Sequence, residues 1–121
     1  MNESTALVAA RADDVARRAV ELMLEAAPAY AAKLDARGRR LCEEDASLHV
    51  RALVGSVVAE DPKIFGDYAV WAAELLSRFG IAAEQLAALF VATGRAIAEL
   101  VPSAESIVEP HLEAGERALA R

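Results

Sequence analysis

A chain of 121 residues, 55% hydrophobic but only 5% aromatic, has room for one domain with its own core, residues 1–121, built from alanine- and leucine-rich helices and not as a β-sandwich. Thirteen Lys and Arg against nineteen Asp and Glu leave a net charge of −6, which opposes attraction to phosphate backbones and argues against nucleic acid as a partner. The single cysteine excludes an internal disulfide. The start Met1-Asn2-Glu3-Ser4 lacks a signal peptide's basic and apolar regions, and no apolar run approaches the roughly 20 residues of a membrane span, so a reduced, cytoplasmic protein without a membrane partner is expected.

Residues 4 to about 27 read as a first helix capped by Ser4. Val8, Ala12, Val15, Ala19, Leu22 and Ala26 recur at steps of four and three, while Arg11, Asp14, Arg18, Glu21 and Glu25 form the opposite, solvated face. Pro28 opens a short second helix, Ala29 to Ala36, with Tyr30 expected in the core and its hydroxyl at the rim. Gly38 then permits a turn, and Arg37, Arg39 and Arg40 cluster just before the central helix, either as a hydrated loop or as a clamp for carboxylates.

The third helix, Leu41 to about Glu60, is expected at the centre. Cys42, Asp45, His49, Ala52 and Ser56 share one face, while Leu48, Val50, Leu53, Val54, Val57 and Val58 cover much of the remainder. A thiol, a carboxylate and an imidazole therefore line up where plain packing uses leucine. They read either as a small buried hydrophobe beside a dipole-compensating acid, or as the polar edge of a ligand pocket.

Asp61-Pro62 caps and starts the next helix, which runs to Phe79. There Ile64, Tyr68, Trp71, Leu75 and Phe79 make an unbroken stripe expected to face the core, with Phe65, Tyr68 and Trp71 also able to wall a flat conjugated ligand. After Gly80, a helix from Ala82 to Val101 points Leu86, Leu89, Phe90, Thr93, Ile97 and Leu100 inward, and Gly94 allows a close approach. Pro102 restarts the chain into a last helix, kinked at Pro110, with Ile107, Val108, Leu112 and Leu119 buried and His111 exposed without a role. Five to six helices with short connections fit a globin-like bundle, and exposed Val54 and Val58 offer a homodimer contact.

No enzyme is expected. Cys42 and His49 lie two turns, about 10 Å, apart on one face, too far for a thiolate–imidazole couple. The chain has no glycine-rich phosphate loop, no His-Glu-x-x-His and no paired cysteines, and Asp45 with His49 supplies only two metal ligands, so no metal centre is expected either.

Cys42-x-x-Asp45, followed after four residues by Val50-Arg51, resembles the chromophore-bearing helix of the phycobiliproteins, which share the globin fold. The resemblance implies a bilin, a linear tetrapyrrole such as biliverdin. Cys42 would form the thioether, Asp45 would accept the pyrrole N–H bonds, and His49 would contact a ring carbonyl or propionate. Tyr68 and Trp71 would form the apolar wall. Arg39 and Arg40 would hold propionates, in place of the family's arginine where this chain has Glu44. Asp61 to Trp71 also resembles the helical region ahead of cobalamin-binding modules in bacterial regulators, which implies a sensory or dimerisation domain with no chromophore. Heme is the alternative cofactor. No histidine lies between Pro62 and Phe79, so His49 could meet iron only from the distal-type side.

Overall fold

A computed structural model describes all residues 1–121. The chain is all-α, with seven α-helices: α1 Glu3–Ala10, α2 Ala12–Ala26, α3 Pro28–Ala31, α4 Ala36–Val58, α5 Pro62–Ser77, α6 Ala83–Leu100 and α7 Glu105–Leu119. A single 3₁₀ turn, Pro102–Ala104, joins the last two. α2 packs along both α4 and α6, α5 runs along α7, and α1 crosses α4. The centre is filled by Phe65, Phe90, Leu53, Ile97, Val50, Val15 and Val20, all nearly inaccessible.

Local chemistry sets the helix ends. The Asn2, Asp35 and Asp61 side chains accept backbone N–H bonds from Thr5 (2.8 Å), Gly38 (2.7 Å) and Lys63 (3.0 Å), satisfying donors that a first turn leaves free. α5 ends in a Schellman arrangement. The N–H of Ile81 returns to the Leu76 carbonyl and that of Gly80 to Ser77, with Gly80 at φ 77°, the conformation glycine adopts at least cost. α4 ends the same way through Asp61 to Ser56 and Glu60 to Val57, but there Glu60 takes the left-handed position at φ 55°.

Several expectations are corrected. The helix count is seven, because the first helix divides at Arg11, whose ψ of 21° breaks the repeat. Its guanidinium donates to the Leu100 carbonyl at 3.0 Å, and Val8, Ala12 and Val15 stay buried across the break. The arginine cluster lies inside a helix, because Asp35 caps α4 five residues earlier than expected. Pro110 sits within α7 without ending it.

The largest correction concerns α5. Its buried face is Phe65, Gly66, Ala69 and Ala72, and the stripe of large apolar residues faces water, with Trp71 58% and Phe79 74% exposed. Close helix packing selects small residues. A side chain at Gly66 would sit 3.4 Å from the Ala114 carbonyl oxygen of α7, so α7 approaches along the glycine and alanine side. Val58 is exposed as expected, while Val54 is half-buried against the core.

Candidate functional site on the fourth helix

The polar face of α4 turns toward α5, and three of the expected site residues meet there. Asp45 Oδ2 lies 2.9 Å from His49 Nε2, and His49 Nδ1 lies 2.6 Å from the Tyr68 hydroxyl. A carboxylate only accepts, so Nε2–H donates to Asp45, and in the neutral ring Nδ1 accepts from Tyr68. His49 is 3% exposed and Asp45 38%. The imidazole stands edge-on to Phe90 at 5.8 Å, and Trp71 lies beyond Tyr68 at the same ring separation. Burial, with Asp45's negative charge adding to it, pushes the Tyr68 hydroxyl up to about 12. It therefore keeps its proton at neutral pH and is available to donate it to His49, and the Asp45–His49–Tyr68 chain ties α4 to α5.

Cys42 lies in the second turn of α4, beyond the helix-end field that would favour its thiolate. It faces the Tyr30 hydroxyl, and burial pushes its thiol up, with the Asp45 and Glu43 carboxylates acting the same way and Tyr30 in opposition. An activated nucleophile requires the reverse. Cys42 and Asp45 do line one cavity with Tyr30 and Leu76, but its volume is about 40 Å³.

Arg39 and Arg40 do not join this group. Arg39 approaches Glu43 at 3.7 Å. Arg40, about 200° round the helix from Cys42, opens on a separate cleft of about 460 Å³ shared with Asp13, Arg17, Glu44 and Arg51.

A tetrapyrrole needs a pocket in the small-molecule range of about 300–1,000 Å³. The Cys42 cavity is far smaller, the Asp45 and His49 groups bond each other, and the arginines point elsewhere, so the residues as arranged do not fit that group. No three His, Cys, Asp or Glu side chains converge as a metal ion would require, and no helix is long and apolar enough to cross a membrane.

A second buried polar tie escaped the sequence reading. Ser56 Oγ donates to the Asp61 carbonyl at 2.8 Å, and His111 Nδ1 lies 2.6 Å from Ser56 Oγ. Since the serine proton goes to Asp61, the His111 Nδ1–H must donate to Ser56. Ser56 is wholly buried and His111 nearly so, so this serine–imidazole pair joins α4 to α7 and is closed to substrate. The signal was present in the sequence: Val108, His111 and Gly115 follow at steps of three and four on the buried side of α7.

Burial pushes the His111 imidazole below its ordinary value, with Asp61's charge in partial opposition. The folded state thus keeps the ring neutral, while the unfolded chain takes up a proton near about pH 6.5. The contribution of this tie is complete above that pH and is lost as pH falls through the lowered folded value. The urea midpoint is therefore expected to fall between about pH 7 and pH 5, and to fall less steeply in His111→Gln. An equal slope in the two proteins would place the titration elsewhere.

Neither a protein-family model nor a curated protein matches this chain.

Proposed function

We propose that this chain is a non-catalytic helical interaction module that pairs with a second copy of itself through the outer face of α5. The observation that carries the reading is the unbroken exposed stripe of Ile64, Trp71, Leu75 and Phe79, with half-buried Tyr68 between them. Solvent-facing apolar residues are ordinary singly, whereas a continuous aromatic-rich stripe costs solubility unless it is covered. Interface cores are depleted in charge and enriched in Trp, Tyr and Phe. Here the charges Asp67, Glu74 and Arg78 lie to one side of the stripe, as a rim.

The occupant best suited is another α5. In an antiparallel pairing with its two-fold axis between Trp71 and Ala72, Ile64 opposes Phe79, Tyr68 opposes Leu75 and the two Trp71 side chains flank the axis, so the contact closes with two-fold symmetry. Sedimentation velocity at micromolar concentration is expected to give a dimer. The emission of the chain's one tryptophan should shift to the blue as the dimer forms. Trp71→Glu is expected to sediment as a helical monomer. A wild-type monomer across the whole soluble range would end the proposal.

A second reading, a globin-like bilin protein, has in its favour that Cys42 and Asp45 line the same cavity, and requires that cavity of about 40 Å³ to open several-fold on binding. A red-shifted, sharpened biliverdin band that is lost in Asp45→Ala would favour it, and an unchanged biliverdin spectrum would remove it.

A further inference from the structure

We infer that the groove between the C-terminal end of α2, α3 and α6 binds a free medium-chain fatty acid. The groove holds about 390 Å³ and is separate from the α5 stripe, so the inference does not rest on self-pairing. Apart from Gln85 and Arg95, its lining is Leu, Met, Ala, Val and Tyr30. Leu22, Met23 and Ala92 are buried and form the floor, and Val91 on the rim is half open to water. The volume lies within the range of small-molecule sites, which are mostly apolar with a few placed polar groups.

The head group is chosen by Arg95, the groove's one ionic residue. Its natural partner would be Glu99, one turn further along α6, but both Glu99 oxygens are taken by Arg18, at 2.7 and 3.2 Å. Arg95 acts on Glu99 only through its field and has no direct carboxylate partner. Gln85 uses its carbonyl oxygen to accept the Ala82 N–H at 3.0 Å, which leaves its amide N–H₂ as a further donor. Two donors on an apolar trough whose own lining holds no carboxylate are complementary to an anionic head on an alkyl tail. Tyr30 and Met23 line both this groove and the small cavity beside Cys42, so a tail running past Tyr30 points toward that second space.

The test is isothermal titration of the full chain with octanoate, decanoate and decyltrimethylammonium, each below its micelle concentration. Decanoate is expected to bind saturably. Each added methylene should tighten binding about fourfold, so octanoate should be about fifteenfold weaker. The cationic detergent, with the same tail, should bind at least about tenfold more weakly, and Arg95→Gln should weaken decanoate by about tenfold. Ala88→Trp fills the trough from an exposed position, so it should abolish binding while leaving the circular dichroism and melting unchanged. Absence of saturable decanoate binding, or binding indifferent to Ala88→Trp, overturns the inference. Loss of binding in Trp71→Glu with retention in Ala88→Trp also overturns it, because the tail would then lie on α5.

Discussion

Gly115→Val is expected to destabilise the fold by about 3 kcal/mol or more, a fall of roughly 12 °C in melting temperature for a domain of this size. A Cβ at Gly115 would stand 2.7 and 2.8 Å from two carbons of the Phe65 ring and 3.2 Å from Phe90. Real Cβ atoms do not approach that closely, so something must shift. Phe65 and Phe90 are each 1% exposed, with ring centroids 4.9 Å apart, and have no free volume to move into. Relief must come from moving α7 off α5, along the most extensive helix contact in the molecule. Alanine at the same position separates the two effects involved. Replacing glycine within a helix gains about 1 kcal/mol from backbone entropy, whereas overpacking costs about 1–3 kcal/mol, so Gly115→Ala should also lose stability, by less. Gly55 in α4 has nothing within 4 Å of its would-be Cβ, so there the entropy gain stands alone and Gly55→Ala should stabilise. Urea midpoints compared at equal m-values measure all three. If Gly115→Val is as stable as wild type, the packing of α7 on Phe65 is not as tight as described.

The same contact explains where the sequence was readable and where it was not. Periodicity identified the core sides of α2 and α6, because the residues it picks out at helical spacing, Val15, Ala19 and Leu22, and Leu86, Leu89, Phe90, Thr93 and Ile97, are also buried ones. On α5 size and burial part company. The helix nearest a neighbour buries Gly66, Ala69 and Ala72 beside Phe65, and a stripe drawn by side-chain size selects the adjoining, exposed face. The shared face of Asp45 and His49 was legible from spacing alone. Their closure by Tyr68, nineteen residues away, depends on how α5 is rotated and leaves no local mark. The Arg39 and Arg40 clamp was misjudged for a related reason. Once Asp35 caps α4, Arg40 is fixed about 200° round the helix from Cys42, and Arg39, although one turn from Cys42, lies toward Glu43.

His49→Leu is expected to cost about 2–3 kcal/mol, and the argument turns on which groups are left alone. Leucine fills much of the imidazole space beside Phe90, so the loss comes mainly from polar groups. The Tyr68 hydroxyl, half-buried, loses its acceptor, and a buried group without a partner costs about 1–3 kcal/mol. Asp45, 38% exposed, recovers water, so Asp45→Asn should cost no more than about 1 kcal/mol. Tyr68→Phe strands the His49 Nδ1 instead and should cost about as much as His49→Leu. The double variant His49→Leu/Tyr68→Phe removes both ends of the same bond and strands neither, so its cost should be well below the sum of the two single changes, a positive coupling that a double-mutant cycle measures. The sign of the double variant against wild type decides what the chain of bonds is for. A double variant less stable than wild type marks a tie that holds α4 to α5. A double variant more stable than wild type means that these polar groups are kept at the expense of the fold, as groups poised for a ligand are. That outcome would move Asp45, His49 and Tyr68 from structural residues to the bilin reading.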